Sequence, residues 1–258
     1  MRYGLAVFLL ALFPLTAQAA IKEETVEYKQ DETVLEGFLA YDDAVEGKRP
    51  AVVIVHDWMG PGDFSEAKAR DLAQMGYLAL AADIYGQGVR PKDAEEAGKQ
   101  AGMYKSDRAL LRERAKAAYE LLKGHPLAEE GKLAAMGYCF GGTTVLEMAR
   151  AGLDLAGVVS FHGGLQTPSP AEPGTVTAGI LVLHGADDPH VPAEEVAAFQ
   201  GEMTAAGADW QLMSYSGAVH AFTNPAAGND NSKGAAYNEK ADRRSWEAMQ
   251  LFFNEIFE

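Results

Sequence analysis

The chain has 258 residues, of which 48% are hydrophobic and 23% charged, and its formal charge is −15. A domain of that size buries about three quarters of its unfolded surface, so it needs no disulfide framework, and this composition excludes a disordered chain. The acidic balance repels nucleic acid and anionic lipid at long range, and solubility accounts for it without an acidic-partner role.

Residues 1–19 differ from the rest. Arg2 is their one charge, an apolar run extends from Leu5 to Leu15, and Ala17-Gln18-Ala19 has the small-x-small pattern of a cleavage site. These features predict a secretory signal peptide, residues 1–19, followed by one domain, residues 20–258. The apolar run is shorter than the about 20 residues a membrane-spanning helix needs. The expected product is exported, periplasmic or secreted, with no membrane association after cleavage and a charge of −16 once Arg2 is lost.

Strand and helix patterns then alternate. Thr25–Gln30 and Val34–Tyr41 read as an antiparallel pair. The run Ala51–His56 (AVVIVH) is apolar throughout, as in a strand buried on both faces. Ser65–Met75 reads as a helix with Ser65 at its N-cap, and Tyr77–Ala82 as a strand. Asp107–Lys123 is an amphipathic helix stopped by Gly124 and Pro126. Lys132–Met136 (strand), Gly141–Arg150 (helix), and the strands Ala156–Phe161 and Gly179–His184 follow. Pro192–Ala206 (helix), Trp210–Tyr215 (strand) and a closing helix, Ala235–Phe257, complete the series. Gln166–Thr177 and Phe222–Lys233 read as surface loops. This order predicts an α/β fold with a mostly parallel central sheet and helices on both faces. Ligands on such sheets sit beyond the carboxyl ends of the strands.

Cys139 is the one cysteine, so no disulfide can form within the chain. It lies in Gly137-Tyr138-Cys139-Phe140-Gly141, between a strand and a helix. That is the G-x-nucleophile-x-G elbow, which holds the nucleophile on a strained turn above the sheet. A thiol at the positive end of the following helix favours the thiolate. The Phe140 N–H can then donate into an oxyanion hole, with the Trp58 N–H as second donor. Asp188 follows the strand before it in a G-x-x-D-x-x-V-P arrangement and reads as the acid; Asp187 reads as a turn or solvent residue. His220, on the loop after the last strand, reads as the base. The order Cys139, Asp188, His220 is that of α/β-hydrolases.

The other histidines carry weaker signals. His56 reads as shaping the oxyanion loop, His190 as a loop surface residue, and His125 as a helix-end residue. His162 reads equally as a pocket residue or a hydrogen-bonded structural one. Asp57, Tyr85 and His162 are the substrate-binding candidates. No recognised ligand spacing joins His56, Asp57, His184, Asp188 and His190, so no metal is expected, nor any cofactor.

VIVHDWMG (53–60), AADIYG (81–86), MGYCFGG (136–142), LHGADDPHVP (183–192) and YSGAVHAF (215–222) together resemble the dienelactone hydrolase family. The resemblance implies an α/β-hydrolase fold and hydrolysis of a small carboxylic ester or lactone through a Cys139 thioester. The family's best-known member has a glutamate where this chain has Asp57, and arginines where it has Gln87 and Asn224. The arginine clamp on a substrate carboxylate is therefore missing at both positions, with Arg90 and Arg243 as alternative cations. Dienelactone is accordingly not expected to be the main substrate. Two other classes compete with an esterase: a non-catalytic exported binding protein on the same fold, and a thiol redox sensor, although no second cysteine can resolve an oxidised Cys139.

Overall fold

The computed structural model describes residues 20–258; the signal-peptide reading of residues 1–19 lies outside them. Strands β1 (Ile21–Gln30) and β2 (Thr33–Asp42) form an antiparallel pair across a turn in which Asp31 has φ 49°. β2 then pairs antiparallel with β4 (Leu78–Ala82). All further pairings are parallel, through β3 (Arg49–Val55), β5 (Ala128–Tyr138), β6 (Gly157–Phe161), β7 (Gly179–Gly185) and β8 (Trp210–Tyr215). The resulting eight-stranded sheet has the order β1-β2-β4-β3-β5-β6-β7-β8.

Two apolar layers cover it. Val52 and Ile54 of β3 face helices α1 (Asp63–Gln74) and α6 (Glu239–Phe257), where Leu72, Phe252 and Phe253 pack. Val53 and Val55 face the other way, toward α2 (Ala94–Ser106), α3 (Arg108–Lys123), α4 (Phe140–Arg150) and α5 (Ala193–Ala206). This alternation is why the central strands read as unbroken apolar runs: side chains on both faces need burial. Each fully buried Val, Leu, Ile or Phe contributes about 1.5–3 kcal/mol.

Several boundaries differ from the sequence expectations. Ser65 is not the N-cap of α1 but its third residue; Gly62 is the cap, and the Ser65 hydroxyl donates to the Gly62 carbonyl at 2.9 Å. The closing helix begins at Glu239, capped by Asn238, because residues 235–236 instead run beside His220. Helix α2 was not anticipated. It buries only Ala97, Ala101 and Tyr104 and carries Gly98 and Gly102, so its apolar stripe is thin. The available signal was Asp93, whose carboxylate accepts the N–H groups of Glu95 and Glu96.

Candidate active site

The parallel strands end on one edge of the sheet, and residues just beyond β3, β5, β6, β7 and β8 line a cavity of about 580 Å³. Cys139 sits where β5 turns into α4, with φ 53° and ψ −109°. The turn is tight enough to exclude side chains. A Cβ on Gly137 would run into the Gly141 carbonyl, and one on Gly141 into the Val55 carbonyl. His162 (φ 41°) and Ala221 (φ 57°) line the same cavity. Left-handed backbone at non-glycine residues is costly and persists only where surrounding packing enforces it, so three such residues in one wall mark a functional site.

The three residues read as nucleophile, acid and base come together there. His220 Nε2 lies 3.0 Å from the Cys139 sulfur, and His220 Nδ1 lies 2.8 Å from Asp188 Oδ2. Asp188 is buried, whereas Asp187 is exposed. Burial pulls the His220 pKa down, but the bonds to Asp188 and Cys139 outweigh it and raise it to about 10. His220 therefore carries its proton at neutral pH and donates toward both Asp188 and sulfur. Its loop is pinned from the other side: its N–H donates to the Gly234 carbonyl, and its own carbonyl accepts the Ala236 N–H.

Phe140 is the first residue of α4, and the Trp58 backbone lies on the loop after β3. Neither N–H has an acceptor among the described residues. His56 shapes that loop as expected. It is buried between Tyr85 and Phe140, donates from Nδ1 to the Asp57 carbonyl at 2.6 Å and accepts the Ile84 N–H at Nε2. Burial pushes its pKa down to about 4, so the ring is neutral.

The substrate-binding candidates separate. Tyr85 does not line the cavity. It is buried, and its hydroxyl donates to the Trp58 carbonyl at 2.9 Å, so it holds the oxyanion loop instead. Asp57 does line the cavity, but Oδ1 accepts the Met59 N–H and makes no bond to Cys139; burial raises its pKa. His162 combines both of its readings: it lines the wall, is buried and neutral through burial, and pairs with the Thr223 hydroxyl at 2.8 Å. Its ring packs against His220 at 5.2 Å, and His190 packs on His220 at the same distance. His190 is exposed on its loop, as expected, and also lines the cavity. Phe64, Lys105, Tyr138 and Thr223 also line the cavity and were not anticipated, because they gather there only through the packing of separate elements.

The two alternative cations do not enter this cavity. Arg243 lies in a groove between α1 and α6, paired with Glu247. Arg90 lines an adjoining cavity and pairs with Glu36 at 3.7 Å.

The dienelactone hydrolase family model matches residues 35–257. The chain belongs to the dienelactone hydrolase family. Among solved structures, m3DLH is 40% identical with a TM-score of 0.88, covering 92% of this chain and 99% of its own. A dienelactone hydrolase-like promiscuous phosphotriesterase, P91, from metagenomic libraries is 38% identical with a TM-score of 0.86 over the same shares. An uncharacterized Caenorhabditis elegans protein is 38% identical over 156 residues, which is 59% of this chain and 98% of its own length. This family membership makes the protein a dienelactone hydrolase-like hydrolase of the α/β-hydrolase fold.

Proposed function

We propose that this protein hydrolyses small carboxylic esters or lactones through a Cys139–His220–Asp188 triad, as an exported enzyme in the periplasm or outside the cell. The observation that carries this reading is the unbroken hydrogen-bonded chain from sulfur to imidazole to buried carboxylate at the mouth of a largely apolar cavity.

In the first half-reaction the Cys139 thiolate attacks the carbonyl carbon and forms a C–S bond. The carbonyl electron pair moves onto oxygen, where the Phe140 and Trp58 N–H groups receive the oxyanion. As the oxyanion collapses, the C–O bond to the leaving group breaks, and the His220 Nε2 proton passes to the departing alkoxide. In the second half, His220 takes a proton from water, the hydroxide oxygen bonds to the acyl carbon, and the C–S bond breaks. Sulfur leaves as thiolate, and the acid is released. Asp188 holds the imidazole in the tautomer that presents Nε2 to sulfur and stabilises its cation. In a lactone the leaving alkoxide stays attached to the acid, and the chemistry is otherwise unchanged.

Dienelactone is not the proposed main substrate. The Gln87 amide donates to Glu27 and Glu36 on the outside of the β1–β2 pair, and the Asn224 Oδ1 caps a short turn at the Ala226 N–H. Neither supplies a cation.

The test is hydrolysis of p-nitrophenyl acetate by purified residues 20–258 and by Cys139→Ala and His220→Ala. Wild-type turnover that both variants lose supports the reading. Equal rates in all three proteins would end it, and tight binding of esters without turnover would favour a binding protein. Phosphotriesters belong in the wider substrate panel, since the 38%-identical relative is named for that activity.

A further inference from the structure

His162 follows β6 directly and is buried, with a left-handed φ of 41° that strains a non-glycine residue. Its backbone is fastened to the nucleophile's side of the site. The His162 N–H donates to the Leu183 carbonyl at 2.8 Å, and the Cys139 N–H donates to the carbonyl of Phe161, one residue earlier, at 3.0 Å. A Cβ on the next residue, Gly163, would run into the backbone of Gly142 and Thr143 at the start of α4. The side chain reaches toward the base instead. Nε2 pairs with the hydroxyl of Thr223, three residues after His220, and the ring packs edge-on with both His220 and Phe222. Thr223 is buried, and its hydroxyl has no other partner among the described residues. Burial, and then the neighbouring His220 cation, push the His162 pKa well down, so an uncharged ring faces the imidazolium.

We infer that His162 is a positioning residue for the base, and that its bond to Thr223 holds His220 in place while Cys139 is acylated. This rests on the esterase reading above and assigns a role within the same site. In the resting enzyme both ring nitrogens of His220 are held, one by Asp188 and one by the sulfur. The thioester removes the second hold. Its sulfur carries no negative charge and is a weak acceptor, so Nε2 takes up water instead. The imidazole is then fixed by one hydrogen bond and by its packing, and a displacement of about 1 Å at a reacting group can cost about 10²-fold in rate. Deacylation is therefore the step that needs the His162–Thr223 link. Acylation by p-nitrophenyl acetate does not, because the attacking sulfur still anchors Nε2 and p-nitrophenolate departs without the His220 proton.

The test uses p-nitrophenyl acetate with wild type, Thr223→Val, Thr223→Ser, His162→Phe and Cys139→Ala. Release of p-nitrophenol in a first turnover with enzyme in excess reads acylation, and loss of the acetyl mass from the protein reads deacylation. Thr223→Val removes the hydroxyl and keeps the shape; it is expected to slow deacylation about fivefold to tenfold and to leave acylation nearly unchanged, so that acetyl-enzyme accumulates. His162→Phe keeps a packed ring without the bond and gives the same pattern, whereas Thr223→Ser restores the wild-type rates. Circular dichroism and urea unfolding check that each variant is folded, and if His162→Phe is not, the two Thr223 variants decide. A folded Thr223→Val protein in which both steps slow equally, or in which deacylation keeps its wild-type rate, overturns the His162 assignment alone. Absence of Cys139-dependent p-nitrophenol release by wild type overturns the enzymatic reading and this inference with it.

Discussion

The backbone N–H of His190 donates to Asp188 Oδ1 at 2.8 Å, on the carboxylate whose other oxygen receives His220 Nδ1 at the same distance. The residue two positions after the acid thus fixes the orientation of the carboxylate, while its ring packs edge-on against the imidazole that the carboxylate holds. A carboxylate bonded on both sides cannot rotate away from His220.

That arrangement predicts a large effect from an isosteric change. In Asp188→Asn, the amide either loses the imidazolium or turns its NH₂ toward Nδ1 and selects the wrong tautomer. The kcat for p-nitrophenyl acetate is expected to fall by about 10³–10⁴-fold with little change in KM. A fall of less than tenfold would remove Asp188 from the mechanism.

His220 predicts two pH effects. Its folded pKa is raised to about 10 from an ordinary value near 6.5. A raised value means that its contribution to stability is full below about pH 6.5 and is lost as pH rises through about 10. Activity follows on the alkaline side, since the neutral ring cannot protonate the leaving alkoxide. In Cys139→Ala, the sulfur no longer helps to hold the proton, so the His220 titration, followed by NMR of the imidazole, moves to lower pH. An unmoved titration would show that sulfur and imidazole are not coupled.

Glu147 predicts a loss of stability away from the chemistry. It is fully buried in α4, with Arg112 at 2.7 Å and Arg150 at 3.2 Å. Arg150 also binds Glu202 and the Leu165 carbonyl, and Glu195 accepts the N–H groups of Leu165 and Gln166. Together these charges fasten the loop that follows His162. Arg150 keeps Glu202 in Glu147→Ala, but the largely buried Arg108, which pairs with Glu147 at 3.8 Å, loses its carboxylate, and the change is expected to cost about 3–5 kcal/mol in urea unfolding. Glu247→Ala, which breaks the exposed pair with Arg243, is expected to change stability by less than about 0.5 kcal/mol.

Tyr85→Phe separates scaffold from chemistry on the oxyanion loop. It keeps the packed ring but removes the bond to the Trp58 carbonyl. The expected stability cost is about 1 kcal/mol, with kcat lowered about tenfold because the Trp58 N–H is no longer held in place. An unchanged kcat at the reduced stability would make Tyr85 purely structural.

Most strands were legible because burial on both faces writes an uninterrupted apolar run, as in Val52–Val55 and Leu181–Leu183. The elbow was legible for a related reason: Gly137 and Gly141 are demanded by backbone contacts so close that no side chain fits. Helix α2 was hidden because its buried side consists of two alanines and one tyrosine. Ser65 looked like a cap because serine also serves a helix start from the third position, where its hydroxyl reaches back to accept the Gly62 N–H and donate to the Gly62 carbonyl.

The order of residues along the chain was enough to determine the α/β architecture and to single out Cys139, Asp188 and His220 as side chains that meet at one sheet edge, since local sterics and strand-end placement act over short stretches. Only the tertiary structure decided that Tyr85 supports the oxyanion loop from outside the cavity and that His190 packs on the base. Those roles depend on which elements pack together across the sheet edge, and the direction in which a side chain finally points is set by that packing, not by its sequence neighbours.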